Sequence, residues 1–565
     1  MGRRVLVLGA GINGAALARE LVLNGVDVDV VDEGDLCSGT SAYSTRLIHG
    51  GLRYLEYREL DLVREALAER NRWLLLAPHL VRPLRLFIPA TTRLGGLVGV
   101  ARRFFHLESA QAALSAPRRG LWLIRLGLLT YDRFAGQGPL PAHACHRIGE
   151  PGTPPLPADR YIGLCSYYDA QLVYVERFVL ALMRDAEQIA RQRGVALRVR
   201  TYAQVERRGK GFVVRCGATS SDEEYVEPDA VVNATGPWVD RTLSRLGLER
   251  QRLLGGTKGS HLGLFHSELR GALQWGGVYA EAVDGRPFFV LPFGEAVLVG
   301  TTDVPYDGDP RDAVPDEQEV DYLLASLNRV FPQFAVTRDD VGFFYCGVRP
   351  LPRSEGRFPG AVTRRHFVHV HTEAPRPTFS LIGGKLTVCR ALAEKAARMV
   401  LEALGVPVRA HSRQRPLPGA VADAAGLAAS ERDVAARLSP SPMAEQTAAK
   451  LVAWYGADAT GLPLPQGNAD YRQVAGGFPH SLVRWMICNE WVTRLEDLVA
   501  RRLLLVFEPR LERRTLQELA QLMVACGRLR PEALEREVSS VVAVLEKRYG
   551  RRDLSNTSQG PDGRR

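Results

Sequence analysis

The stretch RVLVLGAGINGAALARELVLNGVDVDVVD, residues 4–32, decides the fold. Its apolar start stops at Gly9 and predicts a strand, because short β-branched runs that end at glycine are typical of buried strands. Helical spacing of small and apolar residues follows over 13–24 and ends at Gly25. A second apolar run, 26–31, predicts another strand. Strand, turn, helix and strand in this order open a doubly wound α/β fold, with a parallel sheet buried on both faces.

The turn between this strand and this helix carries the glycine pattern of a dinucleotide site. Gly9 permits a tight turn, Gly11 lets the backbone approach a pyrophosphate, and Gly14 lets helix and strand pack closely. Phosphates then lie at the helix N-terminus, where backbone N–H groups favour negative charge. Asp32 ends the second strand and is suited to accept hydrogen bonds from a ribose. The predicted cofactor residues of this segment are Gly9, Gly11, Ile12, Asn13, Gly14 and Asp32.

Length and composition bound the class of protein. The chain has 565 residues, 46% of them hydrophobic and 24% charged, which predicts roughly two to four globular domains rather than a disordered or fibrous chain. The net charge of +10 suits an anionic membrane, an anionic substrate or nucleic acid, but no nucleic-acid module is apparent, so we expect no such partner. The eight cysteines form no CxxC pair, which favours a reducing, cytoplasmic setting without a metal site.

The remaining sequence divides into a strand-rich part and a helical part. We predict helices over 60–80 and 170–193, a hairpin over 195–216, a strand with a glycine turn over 229–240, and strands within 286–304, 341–349 and 362–371. From about 405 the pattern is mostly amphipathic helix. The predicted domains are interleaved cofactor-binding and substrate-binding domains over 1–405, a helical domain over 406–550, and a disordered tail over 551–565.

The glycine pattern alone does not distinguish FAD from NAD. Residues 37–54 hold many hydroxyl groups and end in a basic, glycine-containing stretch, and 382–387 form a second glycine-rich segment. The two segments are more than 300 residues apart and bracket strand-rich sequence. They suggest one extended cofactor that chain-distant loops contact.

Several longer motifs resemble one family. In chain order they are LIHGGLRYLE (47–56), VNATGPW (232–238), KGSH (258–261), GTTDV (300–304), GVRPL (347–351), GGKLT (383–387), LVAWYG (451–456) and NEWVTRLEDLVARR (489–502). This order is similar to that of the aerobic, respiratory FAD-dependent glycerol-3-phosphate dehydrogenases, and the resemblance spans about 1–545.

The resemblance implies a fold and an activity. The fold is an FAD-binding, Rossmann-like doubly wound domain with an interleaved mixed-sheet substrate domain and a C-terminal helical domain. The activity is oxidation of sn-glycerol 3-phosphate to dihydroxyacetone phosphate, by hydride transfer from C2 to FAD, with the electrons passed to the quinone pool. It also implies peripheral contact with membrane lipid on the inner face of the cell membrane. The sequence leaves the oligomeric state open; a homodimer in which the helical domain packs on a second subunit is one alternative.

The motifs also supply candidates for substrate binding and catalysis. A phosphate dianion needs fixed cations, and arginine forks and lysine provide them. Oxidation at C2 needs a base for the hydroxyl proton, and histidine suits that task near pH 7. His261 is the first candidate and His49 the second, with Arg349 as the third catalytic residue. The expected substrate residues are Arg53, Tyr54, Lys258, Thr301, Thr302, Asp303, Arg349, Arg364 and Lys385.

The other motif residues are expected to hold the flavin through hydroxyl groups and backbone N–H groups. These residues are Thr40, Ser41, Ser44, Arg46, Leu47, Ile48, His49, Gly50, Gly51, Ala234, Thr235, Gly236, Gly383, Gly384, Lys385, Leu386 and Thr387. No metal ligand is expected.

Two alternatives to a quinone-linked dehydrogenase stay open. One is a soluble glycerol-3-phosphate oxidase that uses O2 and releases H2O2. The other is a non-catalytic flavoprotein or another amine or hydroxy-acid oxidoreductase. The segment 91–134 mixes arginines with bulky apolar residues, so it suits either contact with lipid headgroups or an amphipathic core helix.

Overall fold

The computed structural model describes residues 2–57, 59–95, 120–136, 138–217, 223–248, 251–353, 365–421, 423–439, 441–465, 472–474, 476–552 and 554. The strands are β1 (Arg4–Leu8), β2 (Asp27–Val31), β3 (Leu47–Ile48), β4 (Val81–Ala90), β5 (Ala144–His146), β6 (Gly163–Leu172), β7 (Leu197–Arg200), β8 (Ala203–Arg208), β9 (Gly211–Cys216), β10 (Glu223–Val226), β11 (Ala230–Asn233), β12 (Thr257–Leu264), β13 (Gly277–Glu281), β14 (Pro287–Phe293), β15 (Ala296–Gly300), β16 (Val304–Pro305), β17 (Val341–Arg349), β18 (Phe367–Val370), β19 (Thr378–Ile382), β20 (Gln473–Val474) and β21 (Phe478–Pro479).

The helices are α1 (Ile12–Leu23), α2 (Leu60–Leu76), α3 (Leu121–Ala135), α4 (Val175–Arg193), α5 (Val239–Arg245), α6 (Ser267–Ala272), α7 (Glu317–Val330), α8 (Cys389–Ala403), α9 (Ala424–Leu438), α10 (Ala444–Tyr455), α11 (His480–Asn489), α12 (Arg513–Ala525) and α13 (Leu534–Tyr549). A π-helical turn covers Asp497–Arg502, and short 3₁₀ turns join several of the other elements.

A six-stranded sheet in the order β18-β19-β11-β1-β2-β7 forms the cofactor-binding domain, with every neighbouring pair parallel except β18 and β19. Side chains alternate across β1, so its two faces bury different residues. Val5 and Val7 belong to the core that α1 and α4 share, whereas Leu6 and Leu8 pack on the antiparallel sheet β8-β9-β10. The parallel sheet is therefore buried on both faces.

The glycines of the first turn are needed because the chain passes very close to itself there. A Cβ on Gly14 would lie 1.9 Å from the Gly9 carbonyl oxygen. Gly9 has φ +100°, and a Cβ there would lie 2.7 Å from the Ala234 carbonyl oxygen at the end of β11. At this turn, β1, α1 and β11 are therefore in close contact.

A second, mixed sheet in the order β16-β12-β15-β14-β13-β4-β6-β3 forms a second domain, with β17 also paired to β12 and β5 to β6. Its strands come from two stretches of chain that alternate with strands of the first sheet. The two domains are therefore interleaved in sequence, and the predicted fold class is confirmed.

The helices α9 to α13 pack together beyond residue 405 and contact the cofactor-binding domain through buried ion pairs. Arg177 of α4 donates two hydrogen bonds to the carboxylate of Glu490, at 2.8 and 3.0 Å. Arg501 and Arg502 both donate to Asp35, which follows β2. Because a buried charge is costly without its partner, these pairs fix how the helical part sits on the rest.

Three sequence-based predictions differ from the structure. The helix expected over 170–193 begins at Val175, because residues up to Leu172 continue β6, which pairs with β4 along its whole length. The hairpin expected over 195–216 is only β8 and β9, since β7 joins the parallel sheet beside β2. Cys145 and Cys165 face each other across β5 and β6 and form a disulfide that their spacing did not predict.

Two further expectations fall largely on residues outside those described, namely most of the tail 551–565 and residues 96–119 of the arginine-rich segment. Among the described residues, none of the helices combines the length and hydropathy that a bilayer crossing requires.

Candidate active site

A cavity of about 1130 Å³ lies between the parallel sheet and the mixed sheet. Its wall includes the turn after β1, the segment after β2, the ends of β12 and β17, and the loops that follow β11, β15 and β19. Glu496, Arg501 and Arg548 of the helical part complete it. One cavity is thus shared by all three parts of the chain.

The end of the cavity at α1 fits the two phosphates and the ribose of a dinucleotide. The Asp32 carboxylate accepts hydrogen bonds from the backbone N–H groups of Ala10 at 2.6 Å and Gly34 at 2.8 Å. Each carboxylate oxygen has a second lone pair, so the group can still accept from a ribose hydroxyl. The Oδ1 atom of Asn13 is buried and accepts no hydrogen bond from the described residues, as expected of an atom that meets a ligand.

A buried network fixes the loop His49–Gly51 in the cavity wall. Tyr131 of α3 accepts a hydrogen bond from the Gly50 N–H at 2.9 Å and donates its own proton to Asp169 at 2.8 Å. Arg70 of α2 donates to the same carboxylate at 2.8 Å. Burial raises the pKa of Tyr131 well above its usual value, so its hydroxyl stays protonated and able to donate.

A second contact joins this loop to the glycine-rich segment far along the chain. The Thr387 hydroxyl accepts from the His49 N–H at 3.0 Å and donates to the His49 carbonyl oxygen at 3.2 Å. Lys385 of the same segment places its Nζ atom 3.7 Å from the centre of the Tyr54 ring, a cation–π contact. These contacts bring His49, Tyr54 and Lys385 to one wall.

Elsewhere in the cavity wall, Arg349 at the end of β17 is held by the segment after β15. Its Nη1 atom pairs with Asp303 at 2.9 Å, and its Nη2 atom donates to the Thr301 hydroxyl and the Thr302 carbonyl oxygen at 2.9 and 3.0 Å. Gly259 of β12 makes room, because a Cβ there would lie 2.1 Å from Nη2. The guanidinium is thereby fixed at the cavity surface.

Two histidines line the same cavity, and both are neutral. Burial, together with the charges of Arg349 and Arg46, lowers the pKa of His261 well below its usual value of 6.5. Burial, with Lys385 and Arg70, lowers the pKa of His49 to about 3. A neutral imidazole keeps a lone pair that can accept a proton.

The ring of His261 is held on two sides. The Thr45 hydroxyl lies 2.9 Å from its Nε2 atom, and the Tyr345 ring packs beside it with ring centres 4.9 Å apart. The Tyr345 hydroxyl donates in turn to the Ser44 carbonyl oxygen at 2.9 Å. The orientation of this histidine is therefore set by side chains on β17 and on the segment before β3.

Most of the predicted site residues lie in the cavity wall, including Arg53, Arg349, Lys385 and both histidines. Gly14, Ile48, Gly50 and Thr387 are buried and stand just behind it. Arg364 lies outside the described residues.

Lys258 was expected to bind the substrate, but the structure does not place it in the cavity wall. Side chains alternate along β12, so Gly259 and His261 face the cavity while Lys258 and Ser260 face away. The Nζ atom of Lys258 instead pairs with Glu319 at 2.6 Å and Asp316 at 3.1 Å, both near the start of α7.

Several residues that shape the site were not found from the sequence: Thr45, Arg70, Tyr131, Asp169, Gly259 and Tyr345. Of these residues, Asp169 could have been recognised from the sequence, because it is a carboxylate within an otherwise largely apolar stretch. A buried carboxylate of this kind needs a partner, which here is Arg70.

The parallel sheet, with the glycine turn of a dinucleotide site, and the mixed sheet share one cavity, whose lining also holds Arg349, Lys385 and two neutral histidines. This combination is typical of a cofactor-dependent redox enzyme. Residues 4–390 match the family model described as FAD dependent oxidoreductase. The chain belongs to this family, and its cofactor is FAD.

Curated relatives agree with the family. The chain is 37% identical over 443 residues to the glycerol-3-phosphate dehydrogenase of Synechocystis sp., covering 74% of this chain and 73% of that protein. It is 32% identical over 514 residues to the aerobic glycerol-3-phosphate dehydrogenase of Escherichia coli, and 31% over 513 residues to the D-erythritol 1-phosphate dehydrogenase of Brucella abortus. Each of these two matches covers 88% of this chain and 93% of the relative.

Among solved structures, the glycerol-3-phosphate dehydrogenase from Bacillus halodurans, determined with FAD, superposes with a TM-score of 0.68 at 23% identity. The match covers 97% of this chain and 95% of that chain, so the two share a fold over nearly their whole length.

Replacing Tyr131 by Phe tests the network behind the His49–Gly51 loop. The change leaves the buried Gly50 N–H with only its long hydrogen bond to Asp169, at 3.4 Å, and removes a donor from that carboxylate, so we expect the free energy of unfolding to fall by about 1–3 kcal/mol. Denaturant titration measures the stability, and the ratio of flavin to protein absorbance measures FAD retention, which should also fall. The control Tyr225→Phe removes an exposed hydroxyl and should stay within about 0.5 kcal/mol. Equal stability of the two variants would contradict the role of the network.

Proposed function

We propose that this enzyme oxidises sn-glycerol 3-phosphate at C2 to dihydroxyacetone phosphate and passes the electrons to a membrane quinone. The observation that carries the proposal is that Arg53, Arg349 and Lys385, which are far apart in the chain, line one cavity together with two neutral histidines. The names of the relatives, all dehydrogenases of a polyol phosphate, support the same substrate class.

We assign Arg349 and Lys385 to the binding of the substrate's phosphate. A phosphate dianion is bound best by donors whose direction is fixed, and the guanidinium of Arg349 is held by Asp303, Thr301 and Thr302 before any ligand arrives. Lys385, which lines the same cavity, adds a compact charge over the Tyr54 ring. On this proposal both cations neutralise the phosphate of the bound substrate.

We assign His261 as the base that accepts the proton of the C2 hydroxyl. When bound, FAD supplies the two-electron acceptor that the oxidation of an alcohol requires. His261 is neutral and oriented by Thr45 and Tyr345, so it can accept the proton as the C2–H bond breaks. His49 is the alternative base. The pKa of both histidines is lowered, so the ring contacts of His261 with Thr45 and Tyr345 are what favour it over His49.

An anaerobic titration tests the substrate. We expect sn-glycerol 3-phosphate to bleach the flavin absorbance of the purified protein, and glycerol, which lacks the phosphate, to leave it unchanged. D-Erythritol 1-phosphate is the second polyol phosphate to compare, because one relative is named for it. No bleaching by glycerol 3-phosphate would refute the assignment.

The same reduced sample identifies the electron acceptor. We expect a quinone analogue to restore the flavin absorbance faster than air does. Faster recovery in air, with one H2O2 released per substrate oxidised, would instead make the protein an oxidase.

Replacing His261 by Asn tests the base. Loss of a positioned base costs about 10²–10⁴-fold in rate, so stopped-flow reduction should reach a limiting rate lowered by that factor, with the substrate dissociation constant changed little. Arg349→Gln is the matched comparison and should mainly raise the dissociation constant. An unchanged limiting rate in His261→Asn would leave His49 as the base.

The same enzyme is proposed to attach to the membrane surface through α3. Trp122, Leu126 and Leu129 are spaced along one face of this helix and are 52–59% exposed, while Ile124, Leu128 and Tyr131 of the other face are buried. Leu94 is exposed next to the start of the helix, where the Leu121 N–H donates to Thr92. Arg125 and Arg133 add positive charge, which suits an anionic headgroup layer.

Replacing Trp122, Leu126 and Leu129 together by Ser tests this attachment. We expect the wild-type protein to sediment with vesicles that contain anionic lipid, and the triple variant to bind them at least about tenfold more weakly, because the apolar face no longer enters the interface. Trp275→Ser combined with Val408→Ser removes exposed apolar side chains elsewhere and should bind like the wild type. Equal sedimentation of both variants would refute the role of α3.

A further inference from the structure

Glu319 lies behind the cavity wall and is the centre of a buried network. It belongs to the first turn of α7, and only 4% of it is exposed. Its Oε1 atom accepts from the Ser260 hydroxyl at 2.9 Å and the Thr302 hydroxyl at 2.5 Å. Its Oε2 atom accepts from the Asp316 N–H at 3.1 Å and pairs with Lys258 Nζ at 2.6 Å. Both carboxylate oxygens are therefore fully engaged.

The network extends to the segment that holds Arg349. The Thr302 hydroxyl donates to Glu319 and accepts from the Ser260 N–H at 2.9 Å, which pins residue 302 against β12. The carbonyl oxygen of Thr302 accepts one hydrogen bond from Arg349, and its neighbours Thr301 and Asp303 accept two more. Arg349 also donates to the Thr257 hydroxyl at 3.3 Å and the Lys258 carbonyl oxygen at 3.2 Å, both on β12. The 301–303 segment thus supplies three of the contacts that position the guanidinium, including its ion pair with Asp303.

We infer that Glu319 is a positioning residue for substrate binding, acting through Thr302 on Arg349. It touches neither the cavity nor the reacting atoms. Lys258 belongs to the same network, because its charge balances the buried carboxylate of Glu319. The inference rests on the proposed function, in which Arg349 binds the phosphate of the substrate.

This role differs from general support of the fold in what it changes. A binding interaction made equally before and during the reaction affects the substrate concentration needed, not the rate at saturation. If Glu319 positions Arg349, its loss should raise KM and leave the limiting rate nearly unchanged. If Glu319 only stabilises the fold, its loss should lower the melting temperature and leave KM unchanged in the protein that remains folded.

Glu319→Gln is the test, because it keeps the shape and removes the charge that Lys258 and two hydroxyl groups face. We expect KM for sn-glycerol 3-phosphate to rise about tenfold, the limiting rate of flavin reduction to stay within about twofold, and the flavin spectrum to be unchanged. Competition by inorganic phosphate should weaken by a similar factor. Glu317→Gln on the same helix removes an exposed carboxylate that pairs with Arg338, and should behave like the wild type.

The outcomes separate this inference from the proposed function. Wild-type protein that glycerol 3-phosphate does not reduce would refute the proposed function. Normal reduction of the wild type, with KM of Glu319→Gln within twofold of it or with only the limiting rate lowered, would overturn the positioning role.

Ser260→Ala keeps the question answerable if Glu319→Gln does not fold. It removes one hydrogen bond to Glu319 from a residue that is buried outside the cavity. KM should then rise about threefold at an unchanged limiting rate. A KM equal to that of the wild type would overturn the inference in the same way.

Discussion

The reciprocal hydrogen bonds between the Thr387 hydroxyl and the backbone of His49 join two segments that are 338 residues apart. Everything at this wall of the cavity depends on that contact, because it sets His49 and Gly51 beside the glycine-rich segment that carries Lys385. The loop on the His49 side is immobilised by Tyr131 and Asp169. The second segment follows β19, whose parallel neighbour β11 is pressed against the first glycine turn. The nucleotide end and the substrate end of the cavity are thus parts of one rigid frame.

Buried arginine–carboxylate pairs hold the three parts of the chain in register. Arg46 donates to both oxygens of Glu176 and lies among the rings of Phe293, Tyr345 and Phe507. Arg177 with Glu490, and Arg502 with Asp35, attach the helical part in the same way. Such pairs contribute little net stability, but breaking one costs about 3–5 kcal/mol, so they penalise any other arrangement of the domains. They explain why a helical part that follows the cofactor-binding family match can nevertheless supply residues to the cavity.

The sequence was sufficient for the parts of the site that a local pattern determines. The first glycine turn, Asp32 and the two chain-distant glycine segments could be predicted because each needs a particular backbone geometry. Lys258 could not be placed, because residues 257–264 were not predicted as a strand. Had they been, the two-residue alternation would have put Lys258 and His261 on opposite faces. Tyr131, Asp169 and Glu319 follow no motif at all, since their roles depend on contacts with elements distant in the chain.

Two of the charges assigned to the phosphate also contribute to the pKa of the histidines. Burial is the largest cause of the lowered pKa of both; Arg349 and Arg46 lower that of His261 further, and Lys385 and Arg70 that of His49, so the free site holds neutral but weakly basic histidines. A bound phosphate dianion would offset the fields of Arg349 and Lys385, because opposite charges within a few ångströms favour the protonated imidazole. On the proposed function, substrate binding therefore strengthens the base at the moment when it has a proton to accept. A ligand without the phosphate would not offset the field of Arg349. On the proposed function the cations therefore favour the substrate mainly through affinity, and to a smaller extent through the basicity of His261.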